Sequence, residues 1–166
     1  MRDRRFVAQH RGGLLKKEHH YLLMNWAVRC AEHILPLLGE KIDERLIKAL
    51  KVAKGWPVGG ASVGEARKAS LDAHTVARES SNPTIIAIAR SVGQAVATAH
   101  MADHALGAAL YAWRAVKNAG KKIELERRWQ EEQLPLEIKE MVLAALKDKG
   151  KYLKSKRIQR LKKYTD

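Results

Sequence analysis

The sequence predicts an all-α protein, a compact bundle of about six or seven helices packed around a central helix rich in alanine and histidine. Three observations lead there. Apolar residues recur at three- and four-residue intervals between helix start and stop signals along most of the chain. Hydrophobic side chains make up 46% of the residues yet include one Phe, and their bulk is alanine and leucine, which suits helices in close contact. The segment 93–116, GQAVATAHMADHALGAALYAWRAV, carries two apolar stripes at helical spacing. Gly93, Ala97, His100, His104, Gly107 and Tyr111 fall on one, and Ala99, Leu106, Leu110 and Trp113 on the other. A helix apolar on two sides belongs at the centre.

The elements follow in order. Residues 1–17, with Gly12-Gly13 and scattered arginines, read as a basic N-terminal arm. A first helix begins near Glu18 and carries Leu22, Leu23, Trp26, Ala27, Cys30, His33, Ile34 and Leu37 on its buried face. Pro36 weakens its last turn and Gly39 stops it. Asp43 caps a second helix striped by Leu46, Ile47, Leu50 and Ala53, which ends at Gly55 before the turn Trp56-Pro57-Val58-Gly59-Gly60. Ser62 and Glu65 have capping-box spacing and open a third helix that reaches Glu79. Asn82-Pro83 then places a cap and a first-turn proline at the start of a fourth. A break near residues 101–103, with Asp103 as a cap, divides the long alanine-rich stretch into a fourth and a fifth helix. Beyond Gly120, Ile123, Arg127, Trp129 and Leu134 mark one short helix, and Ile138, Met141, Val142, Ala145 and Leu146 another after Pro135. Residues 18–147 form a single helical domain and 148–166 a basic tail, a weak amphipathic helix.

Charge limits the partners without naming one. Of the net +14, residues 1–20 hold six Lys or Arg against Asp3 and Glu18, for +4; residues 147–166 hold nine against Asp148 and Asp166, for +7. A mildly basic body with basic ends differs from a uniformly basic DNA-binding domain. The single cysteine excludes an intrachain disulfide, the N-terminus lacks the apolar core of a signal peptide, and no apolar run approaches the roughly 18 residues of a membrane span. A cytoplasmic protein without a membrane partner is the expectation.

Candidate chemistry centres on the histidines. At i, i+4 on one helix, His100 and His104 would offer two imidazoles to a zinc, nickel or iron ion. Asp103 lies beside them, and His74, more distantly His33, could join from other helices. The competing reading makes them core histidines bonded to nearby carbonyls or hydroxyls. Without HExxH, paired ExxH or clustered cysteines, that reading is preferred and no cofactor is expected. Asp72 and His74 point to different sides of their helix, Ser70 and His74 lack a strained nucleophile turn and oxyanion donors, and Cys30 near His33 reads as a small core hydrophobe. Trp26, Trp56, Trp113 and Trp129 supply core volume. A nucleic-acid alternative rests on the tail, where Lys151, Lys154, Lys156, Arg157, Arg160, Lys162 and Lys163 could meet phosphates, with Tyr152 and Tyr164 a faint echo of a stacking pattern. The small residues along the Gly93 stripe serve an internal contact or a homo-oligomer contact equally.

Four runs taken together carry a family resemblance: NWAVRCAEHILPLLGEKIDERLIKALKVAKGW, SVGEARKASLDAHTVARESSNP, ARSVGQAVATAHMADHALGAALYAWRAVKNAG and ERRWQEEQLPLEIKEMVL. Over about residues 1–147 the chain resembles the immunity proteins of bacterial polymorphic toxin systems, the immunity-five-like helical family. The resemblance implies a small cytoplasmic protein that binds and neutralises a toxin of the same cell or of competing kin, without catalytic turnover. It implies no active site, and it assigns His33, His74, His100 and His104 to helix packing, with a bound metal second. The charge departs from one common pattern, in which inhibitors of nucleases present acidic surfaces. Here either the toxin is not a basic nuclease, or the acidic residues gather on one face, or the chain does something else. The stretch Glu124, Glu126, Glu131, Glu132, Glu137 and Glu140 is interrupted by Arg127, Arg128 and Lys139 and is not assigned as that face. The lysine-rich tail stands outside the shared pattern.

Overall fold

Local capping chemistry sets the starts of three helices in the computed structural model, which describes residues 3–162, with side chains as far as residue 149. Helix α1 spans Lys17–His33 and runs into a 3-10 turn, Leu35–Leu38, that contains Pro36 and ends at Gly39. Helix α2, Glu44–Gly55, starts where the Asp43 carboxylate accepts the Arg45 amide at 2.9 Å. In front of α3, Val63–Glu79, the full capping box forms: Ser62 Oγ accepts the Glu65 amide and Glu65 Oε2 accepts the Ser62 amide. Asn82 Oδ1 accepts two amides at the start of α4, Pro83–Ala97, with Pro83 in its first turn. Helices α5, His104–Asn118, α6, Ile123–Glu132, and α7, Leu136–Lys162, complete an all-α bundle with seven α-helices and no strand among the described residues. The expected fold class stands.

The regular α-helix gives way to turns over residues 98–103, slightly before and across the expected break. Thr98, fully buried, turns its hydroxyl back to the Gln94 carbonyl, and its own carbonyl accepts a bond from His20 Nε2 at 2.6 Å. That bond fastens the end of α4 to α1 where the regular helix stops. Helix α5 then folds back along α4. Asp103 is already helical in its backbone and its carboxylate does not cap α5, contrary to expectation.

Helix α4 sits at the centre, against α1, α2, α3 and α5. Residues 87–89, 91–93 and 95–97 are all buried, so it has almost no solvent face. The core combines Leu23, Met24, Trp26, Ala27 and Cys30 of α1 with the alanines of α3, α4 and α5, and takes Ile138 and Val142 from α7.

Two features bear on the ends of the chain. The N-terminal segment is folded onto the body: 3-10 turns at Arg4–Phe6 and Gln9–Arg11 lead to Gly12, whose φ of 77° suits glycine and reverses the chain. Backbone bonds from Leu15 to Val7 and from Gln9 to Leu15 then close the loop, and Phe6 and Leu15, each 3% exposed, enter the core. Apolar anchors on both sides of a glycine reversal account for this. The last helix is long, and α7 passes residues 147 and 148 without a break because lysine-rich sequence without proline propagates a helix.

Candidate functional site

The predicted histidine site is assembled from three helices and a turn. On α3, His74 faces α4: Arg90 Nη1 donates to its Nδ1 at 3.2 Å, and its ring lies against Gly93 so closely that a Cβ there would stand 2.6 Å from Cε1. Burial first, then the charges of Arg90 and Arg78, pushes the His74 pKa down to about 4, so the ring is neutral and accepts. His104, the first residue of α5, donates from Nδ1 to Gln94 Oε1 at 2.7 Å. His100 lies in the turn, its ring centroid 5.1 Å from that of His104 at an interplanar angle of 53°. The two histidines are therefore not i, i+4 partners on one helix. His74, His100, Asp103 and His104 are not brought into a metal-holding set: among the described residues no group of three or more His, Cys, Asp or Glu is placed to hold an ion.

The other candidates resolve into structural bonds. Ser70 Oγ donates to the Gly93 carbonyl at 2.9 Å rather than to His74, and Ser91 Oγ donates to the Ala108 carbonyl at 2.8 Å. These hydroxyls tie α3 to α4 and α4 to α5 where the small residues let backbones approach. Asp72 is exposed and Cys30 is fully buried. Burial, with the Glu126 carboxylate adding to it, pushes the Cys30 thiol well above its ordinary range, which holds it protonated at neutral pH.

Sequence reasoning missed a second polar cluster, built by α6. This helix buries Glu126 and Gln130, at 4% and 2% exposure, and leaves Leu125 exposed. Gln130 Nε2 donates to Glu126 Oε1 at 2.9 Å, while Gln130 Oε1 accepts the indole N–H of Trp113 at 2.8 Å. The Gln130 carbonyl accepts the indole N–H of Trp26 at 2.9 Å. Glu126 Oε2 accepts from His33 Nδ1 at 2.8 Å, and the His33 ring stacks on Trp129 with centroids 3.6 Å apart. The i, i+4 spacing of Glu126 and Gln130, with two tryptophans needing acceptors elsewhere, was the signal available.

A concavity of about 510 Å³ opens between the N-terminal segment, the start of α1, Trp56 and the turn after α4. Arg11, Lys16 and Lys17 line it and are exposed, and no acidic residue does. Tyr21 and Trp56 form an edge-on pair with centroids 5.1 Å apart, and His20 tilts against Trp56 at 4.8 Å. Burial lowers the His20 pKa. Of the tail cations, Lys151, Lys154, Lys156, Arg157, Arg160 and Lys162 have side chains outside the described residues, and Lys163 lies wholly outside them. Among the described residues no helix is long and apolar enough to cross a membrane.

Comparison with protein families finds a match over residues 13–137 to the family described as Imm-5 like putative immunity protein. No curated protein matches the chain, and no solved structure matches it.

Proposed function

The chain belongs to the Imm-5 like putative immunity protein family, and on that premise we propose that it is a non-catalytic immunity factor that binds one cognate bacterial toxin in the cytoplasm and blocks it by occupancy. The observation that carries this reading is the extent of the family match, which runs from the approach to α1 into the start of α7 and so takes in the whole central bundle. The chemistry of the interior supports it. Ser70, Ser91, His74, Gln94, Glu126 and Gln130 spend their polar groups on neighbouring helices and turns. Such bracing yields a surface whose shape is set before the partner arrives, which lowers the ordering cost of association. Occupancy then requires affinity and lifetime, with no bond made or broken.

The test is co-expression with a toxin that this chain captures from its native host. Growth should be restored by the full chain and also by its His104→Ala variant, with the two proteins recovered as one complex. Restoration without a complex, with the toxin chemically altered, would replace the binding reading with an enzymatic one.

A further inference from the structure

We infer that the basic cleft beside the α4–α5 turn is the surface that receives an acidic segment of the protein partner. The inference rests on the toxin-binding reading and adds to it where contact is made and what chemistry the partner presents there. Three cations, Arg11, Lys16 and Lys17, surround the opening with no carboxylate among its lining residues, and none of the three stands in an ion pair among the described residues. That contrasts with Arg5, Arg45 and Lys54, each paired with a carboxylate. Like charges gathered around a concave opening raise its potential and attract an anion.

The walls select among anions. The cleft's volume of about 510 Å³ lies in the range that takes a small ligand or a short stretch of peptide. Its rings are locked to one another: Tyr21 meets Trp56 at 85°, and His20, held by its bond to the Thr98 carbonyl, leans on Trp56 at 58°. Interlocked rings form an apolar wall for side chains, whereas a strand of nucleic acid needs a row of open ring faces. A loop with two or three carboxylates around an apolar residue matches both features, its acids on Arg11, Lys16 and Lys17 and its apolar side chain against Trp56 and Val63. This explains how a basic immunity protein recognises its toxin: the complementary patch on the partner is acidic. The wall made by residues 6–11 lies outside the family-matched residues, whereas Lys16, Lys17, His20 and Trp56 lie within them.

Nuclear magnetic resonance on the full chain tests this with a blocked pentapeptide of four glutamates around a phenylalanine, its glutamine counterpart, and a thymidine hexanucleotide. The acidic peptide should move the Trp56 indole and His20 ring signals at low salt, and the glutamine peptide should not. Lys16→Ala with Lys17→Ala should weaken the peptide about tenfold, whereas Lys48→Ala with Lys51→Ala on exposed α2 removes the same charge and should leave it unchanged. Equal weakening in both variants, shifts that spare Trp56, or a hexanucleotide that occupies the cleft while the peptide does not would each overturn the inference. The co-expression assay separates the two levels. Full protection by the Lys16/Lys17 variant dismisses the cleft and leaves the immunity reading standing, whereas failure of the unaltered chain to protect dismisses the reading itself.

Discussion

His74 shows how one residue links sequence, packing and pH response. Its ring fills the space that Gly93 leaves, and with a folded pKa near 4 against an ordinary 6.5 it is neutral in the bundle. Between about pH 6.5 and 4 the unfolded chain binds a proton there that the folded chain does not. This contribution is therefore whole above pH 6.5 and is lost as pH falls toward 4. His20, also lowered, acts in the same direction. Denaturant unfolding at pH 7 and pH 5 should differ by about 1 kcal/mol from His74 once solvent screening of a half-buried site is allowed for. His74→Gln should remove most of that difference, and an unchanged pH slope would contradict the assignment. The matching glycine gives a second prediction. Gly93→Ala gains about 1 kcal/mol of helix propensity but drives a methyl into the His74 ring, so unfolding should show a net loss of about 1 kcal/mol. Gly64→Ala, where the nearest atom would be Ser62 Oγ at 3.8 Å, should be neutral or stabilising. The partners of the histidines were not legible in the sequence: the i, i+4 pairing of His100 and His104 assumed one helix, whereas His100 lies in the turn between α4 and α5.

Among the elements, α6 departs furthest from its sequence pattern. Ile123, Arg127 and Trp129 marked it in the sequence, yet it buries Glu126 and Gln130, whose side chains accept from His33 of α1 and from the indole of Trp113 of α5. Periodicity ranks residues by hydrophobicity and cannot see a polar residue required by a distant donor. Gln130→Met should cost about 2–4 kcal/mol in denaturant unfolding, since it strips the side-chain partner from the Trp113 indole and from Glu126 Oε1. The indole N–H of Trp113 should then exchange with solvent faster while that of Trp26, bonded to the backbone carbonyl, stays protected. Equal acceleration of both would mean the helix had moved as a whole. The caps of α2, α3 and α4 were legible because Asp43, Ser62 with Glu65, and Asn82 with Pro83 act on their own first turns. The continuity of α7 beyond residue 148 was not, since the charged residues there interrupt the apolar periodicity.

At the scale of the whole molecule, the all-α class and the central place of the alanine-rich stretch follow from small residues at helical spacing, and the structure has both. The cleft escaped the sequence because its walls come from residues 6–11, 15–17, 20 and 21, Trp56, Val63 and 99–102, which only the folded order of helices brings together. The folded N-terminal segment turns scattered arginines and lysines into one side of a concave site, so part of the net charge of +14 acquires a place. The central claim is stoichiometric inhibition by binding. Its most direct measurement is titration of the activity of a toxin captured by this chain, with purified full-length protein at a toxin concentration well above the dissociation constant. The account predicts a linear fall to an end point fixed by a whole-number ratio of the two proteins, independent of incubation time, with activity recovered when the complex is separated. Inhibition by substoichiometric amounts that deepens with time and survives separation would contradict it.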